Sequence, residues 1–233
     1  LAALLGFVSW PLFFFYGYRP VSLGTLDLPL SVIISGLVML CWYGFLVSYI
    51  KIRKHIEADF SLHFYDYSLL MLFISSLGAW GVAALQFADL ANPLYSKSMT
   101  HFFLSSFTEG WTLLVLFGVL FHTLGIREQE TAFPIQWGGV MILFGAPLTF
   151  PYGINEHLLT PELLWTARAG SLLTAAGLLW STHALMRSGR RMTWFIRLIA
   201  GILVIKALVQ TGVSIVPSQV WISHHGLRIF YLH

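Results

Sequence analysis

Apolar runs of about 20 residues recur along this chain, and few folds accommodate them. A hydrocarbon core about 30 Å thick is crossed by about 20 helical residues rising 1.5 Å each. Such runs occupy residues 1–17, 29–50, 66–88, 100–124, 135–151, 163–186 and 194–216, and an eighth begins at 227. Helix breakers stand at the joints: Pro20, Pro93, Pro134, Pro161 and Pro217. The fifth run is short and holds Gly138, Gly139, Gly145 and Pro147, a composition that predicts a tilted or broken helix. Only 10% of the 233 residues are charged and 57% are hydrophobic, whereas soluble domains carry roughly 25% charge. So little charge does not cover a water-facing surface. The predicted fold is all-α, a transmembrane bundle of about seven spans plus the start of an eighth, forming one membrane domain over residues 1–233.

Leu1 lies inside an apolar run with no charged flank of the signal-peptide kind, and His233 falls inside a run that reads as a helix from Gly226. Both ends therefore read as cut, and a longer protein is expected. Loops after the second, fourth and sixth runs carry Lys51, Arg53, Lys54, Arg127, Arg187, Arg190 and Arg191, whereas the alternate loops carry only Arg19 and Lys97. The positive-inside rule then puts residues 51–64, 125–133 and 187–193 in the cytoplasm, as expected for a bacterial inner membrane protein. Its partners are the lipid bilayer and other membrane subunits, and nothing in the charge pattern supports nucleic-acid binding. The single cysteine, Cys41, excludes a disulfide framework and a thiolate metal site.

Polar residues inside the apolar runs carry the chemistry. His101, Ser105, Glu109 and Thr112 recur at spacings of four, four and three, which is one helical face. Glu109 stands ~12 Å inside the outer end by helical rise, where an exposed carboxylate costs several kcal/mol. It reads either as a proton-relay or ligand residue, or as a group satisfied by a neighbouring helix. Lys206, Gln210 and Ser214 share a face of the seventh run, with Lys206 near mid-span. A lysine there is neutral, ion-paired or covalently linked, and a buried pair with Glu109 is the simplest account.

Histidines are the candidate cofactor ligands, since imidazole suits iron and copper. The topology puts His101 at the outer end of the fourth span, His224 and His225 in an outer loop, and His233 two turns into the eighth span. The adjacent pair would point about 100° apart on a helix and so would not serve one metal together. Of these, His101 is best placed to hold a metal, because it continues into a polar stripe.

Three segments share a pattern: Leu5-Gly6-Phe7-Val8-Ser9-Trp10, His101 through Trp111, and Arg228 through His233. A histidine near the outer end of a span, followed by apolar residues and a Gly-aromatic pair, resembles the histidine-bearing helices of the haem–copper oxidase catalytic subunit. It also resembles the NnrS-type haem and copper membrane proteins. The segment from Lys206 through Ser214 to Pro217 looks like a motif of bacterial relatives of that group. The resemblance implies a bundle of about twelve spans with metals held near the outer side. It further implies haem bound through His101, with His233, His224 and His225 as further cofactor ligands and copper as a second metal. The role it implies is redox chemistry, electron transport or gas sensing.

The residues also support other classes. One is a transporter or proton-coupled permease with a midplane site at Glu109, Lys206 and Gln210. Another is an assembly subunit of a membrane complex without catalysis. A third is a photoreceptor with retinal on Lys206, against which the count of spans weighs. The topology has a direct check. Cysteines at positions 53 and 190 should resist a membrane-impermeant thiol reagent in intact cells, whereas one at Asn155 should react; labelling at 190 from outside overturns the orientation.

Overall fold

The computed structural model describes residues 2–17, 19, 21–23, 26–28, 30–56, 59–87, 92–126, 134–154, 156–188 and 192–216. Among them are seven helices: α1 Ala2–Tyr16, α2 Leu30–Arg53, α3 Phe60–Phe87, α4 Pro93–Leu124, α5 Gln136–Leu148, α6 Pro161–Arg187 and α7 Trp194–Ile215. Of these, α2, α4, α7 and α3 as far as Leu85 are long and apolar enough to cross a membrane. The other three fall short for different reasons. α1 and α5 have 15 and 13 residues, and α6 carries Glu162, Arg168, His183 and Arg187 along its length. The eighth helix expected from residue 227 lies outside the described residues.

Two compact units divide the chain, Leu1–Glu57 and Ala58–His233. In the first, α1 packs on α2, and Gly17 ends α1 in the left-handed region at φ +55°, where a Cβ would be strained. The Ser31 hydroxyl donates to the Gly17 carbonyl, tying the start of α2 to the end of α1. Between the two helices lies an antiparallel hairpin, β1 Val21–Leu23 with β2 Leu26–Leu28, in the register Val21↔Leu28. An all-α reading did not foresee this hairpin. Each strand is only three residues long, too short to show an alternating pattern.

In the second unit, α6 packs between α5 and α7, and α3 packs along α4. At one end Phe64, Phe117 and Phe121 form an aromatic core, with the Phe64 and Phe121 ring centroids 5.0 Å apart. α3 begins at Phe60, six residues before its apolar run, because Phe60 and Phe64 pack into this core. α6 starts with a cap: the Thr160 hydroxyl accepts from the Leu163 N–H and Pro161 fills the first helical position. That hydroxyl, with the local backbone N–H, also holds the exposed Glu162 carboxyl below its usual range.

Many large apolar side chains face outward and several polar ones are enclosed. Leu198, Ile202, Ile205 and Leu208 of α7 are exposed, as is Phe144 of α5, while Ser75, Ser106, Thr174, Ser181 and Gln210 are buried. Against lipid, apolar burial provides little driving force, so close backbone contact and polar pairing must hold helices together. The α5–α6 seam shows how. Gly138 and Gly145 stand seven apart on α5, and Gly170 and Gly177 stand seven apart on α6. A Cβ on Gly145 would come 2.7 Å from the Gly170 carbonyl oxygen, and one on Gly177 would come 2.7 Å from that of Gly138. Gly138 and Gly145, part of the composition that predicts a tilted or broken helix, let two backbones meet.

Gly145→Val should therefore lower the melting temperature in detergent, since overpacking of this kind costs about 1–3 kcal/mol. Gly201→Ala on α7, where a Cβ meets nothing within 4 Å, should leave it unchanged or higher. Equal melting temperatures for the two variants would refute the close-packed seam.

Candidate polar site at Glu109

The middle of α4 is not α-helical. Residues Ser105–Trp111 form a π turn, and the Thr112 hydroxyl donates five residues back to the Phe107 carbonyl at 3.1 Å. A π turn holds one residue more than an α turn, so it rotates whatever follows by about 100° relative to an uninterrupted helix. Ser105 and Glu109 are buried, but Thr112 is exposed. The expected polar stripe thus ends at Glu109. Gly110 belongs to the same turn, and a Cβ there would come 2.6 Å from Met71 of α3.

Glu109 is 1% exposed and receives donors from two other helices. Lys206 Nζ of α7 donates to Oε1 at 3.2 Å. Gln210 Nε2, one turn further along α7, donates to Oε2 at 3.3 Å. The Thr149 hydroxyl, at the C-cap of α5, lies 3.1 Å from the same Oε2 and 2.8 Å from the Ala146 carbonyl. The Ser171 and Ser214 hydroxyls both donate to the Gln210 carbonyl, at 2.9 and 2.8 Å, and so fix that stretch of α7. Lys206 differs from its neighbours in being 23% exposed along its side chain. Its ammonium meets the carboxylate on a side chain that is not fully enclosed.

Ser105 is buried beside this cluster, but its hydroxyl donates at 2.8 Å to the His101 carbonyl of its own helix. Thr149 carried no signal in the sequence. It belongs to no stripe and enters the site only because α5 ends beside the π turn. Tyr152, in the 3-10 turn Phe150–Gly153, is likewise buried next to the cluster, within electrostatic reach of Glu109 and Arg168. Arg168 of α6 also packs its guanidinium over the Trp165 ring at 5.2 Å.

Of the four histidines proposed as cofactor ligands, His224, His225 and His233 lie outside the described residues. His101 sits in the N-terminal half of α4 with its ring packed against Gly153, and a Cβ at Gly153 would collide with Nδ1. Among the described residues no group of three or more His, Cys, Asp or Glu side chains converges on a point. The described residues thus supply one histidine of the expected haem and copper set and do not assemble that set. Comparisons of the chain with family models, with curated proteins and with solved structures find no match.

Removing one member of a buried pair strands the other, typically at 3–5 kcal/mol, whereas removing both together costs much less. Glu109→Gln or Lys206→Met alone should therefore lower the melting temperature in detergent more than the double change does. Additive losses would show that the two groups are not coupled.

Proposed function

We propose that this chain is a polytopic inner-membrane protein of the carrier kind, in which Glu109 and Lys206 form a midplane site that exchanges protons with a transported solute. The observation behind this reading is the ion pair at 3.2 Å between two apolar helices, with Glu109 enclosed and Lys206 partly exposed. An ionisable pair inside such helices is costly to keep and typically marks a proton or solute path. The interrupted helix fits as well. Carrier sites lie near the midplane where a helix departs from regular geometry, and π turns cluster at functional positions. We place the loops at 51–64, 125–133 and 187–193 on the cytoplasmic side, following their lysines and arginines.

The chemistry asked of the site is modest. Thr149 and Gln210 orient the carboxylate, Lys206 neutralises it, and a change in the occupant of either group moves a proton. Purified protein in liposomes loaded with a pH-sensitive dye should change the internal pH when gradients of small solutes are imposed from a panel of amino acids, organic acids and monovalent salts. Glu109→Gln and Lys206→Met should abolish the response to the active solute, and Gly201→Ala should retain it. No pH response to any solute would overturn the carrier reading in favour of an assembly role. A Soret band in protein from a haem-replete host, lost in His101→Ala but kept in His55→Ala, would overturn it in favour of haem.

A further inference from the structure

Arg168 is a permanent cation beside the polar cluster. It stands on α6 between two residues fixed against that cluster. Ala167 packs on the buried Tyr152, and Ser171, one turn further along, donates to the Gln210 carbonyl at 2.9 Å. Tyr152 in turn lies within electrostatic reach of Arg168 and Glu109 alike. Arg168 is half-buried, with its guanidinium 5.2 Å over the Trp165 ring. Stacking of this kind covers one face of the guanidinium and leaves the N–H groups at its edge open. Among the described residues no carboxylate lies within ion-pair distance of it, and none of its five N–H donors has an acceptor. The charges of the region therefore do not cancel. Glu109 matches Lys206 at 3.2 Å, which leaves the positive charge of Arg168 unmatched among the described residues. Ionisable groups set among membrane helices are costly alone, and as a rule they have partners.

We propose that Arg168 holds the carboxylate of an organic monoanion beside the Glu109–Lys206 pair. A guanidinium presents paired N–H groups that match the two oxygens of a carboxylate, and such bidentate contacts are both strong and directional. One negative charge brings the region to neutrality, which favours a monoanion over a dianion. Binding is a plain association. No covalent bond breaks, no proton moves, and Glu109 keeps the Lys206 ammonium. A phospholipid phosphate offers the same charge and a similar pair of oxygens, so solute and headgroup are the two sources to separate. That the transported solute is an organic acid rests on the carrier reading, but the binding step does not.

The test titrates purified protein in lipid-free detergent with sodium acetate, lactate or benzoate, with sodium chloride holding the ionic strength constant. At least one carboxylate should raise the melting temperature saturably, whereas chloride alone should not. Arg168→Gln should abolish the rise. Arg168→Lys, which keeps the charge but loses the paired N–H groups, should weaken the apparent affinity about tenfold. Glu109→Gln should keep the rise, because the anion does not displace Glu109 from Lys206. If Arg168→Gln does not fold, the parent and Arg168→Lys decide. Equal responses to the carboxylates and to chloride would overturn the site, as would a rise that survives Arg168→Gln. Phosphatidylglycerol added to the detergent, with phosphatidylcholine as its control, tests the headgroup. If phosphatidylglycerol stabilises the parent but not Arg168→Gln, and no carboxylate does so, Arg168 is a lipid contact and the proposal fails. Carboxylate binding without a solute-driven pH change in liposomes would overturn only the carrier reading. A pH response to a solute without carboxylate binding would overturn only the Arg168 site.

Discussion

A carboxylate held 3.2 Å from an ammonium is the interaction around which the second unit is arranged. With an effective dielectric constant near 20, their attraction is about 5 kcal/mol. Desolvating two ions costs several kcal/mol each, so the attraction does not leave a large surplus. The pair is better understood as setting register. It fixes the rotation of α4 about its axis and the height of α7 beside it. Thr149 and Gln210 then complete the carboxylate from a third element and from the next turn of α7. An apolar contact would tolerate a small slide of one helix along another, whereas this arrangement does not.

The same constraint explains how the helices meet elsewhere. Lipid competes for apolar side chains as well as a protein interior does, so the α5–α6 contact relies on glycines that bring backbone against backbone. The aromatic group around Phe64, Phe117 and Phe121 adds dispersion near the start of α5, where a Cβ on Gly139 would meet Phe64 at 3.1 Å. At the other end of α5, beside Thr149, stands the polar cluster, with its hydroxyl donors anchored on backbone carbonyls of their own or adjacent helices.

Much of this was legible in the sequence for a physical reason: depth in an apolar run is a one-dimensional property. The run lengths located most helix ends to within three residues, although α3 and α4 begin six and seven residues before their runs, and the mid-run positions of Glu109 and Lys206 marked them as partners. Rotation about a helix axis is less accessible. Thr112 was assigned to the buried stripe on regular helical spacing, and the π turn carries it out. Ser105 shares the predicted stripe with Glu109, yet its hydroxyl serves its own backbone. Thr149 and Tyr152 are brought in by the way α5 ends, which no periodicity encodes. The glycines of α5 were read by their intrinsic flexibility, and the partner helix that uses them was not visible along the chain.

The surplus residue in the middle of α4 has one more consequence. Its two flanking α-helical segments, Pro93–Leu104 and Thr112–Leu124, are out of phase, like two halves of a screw cut with offset threads. Passing the irregularity one position along the chain turns a single residue through about 100° without unwinding either segment. Glu109 lies within that turn. Its carboxylate is therefore held by its three partners more than by the helix that carries it, and the identity of those partners decides which way it faces.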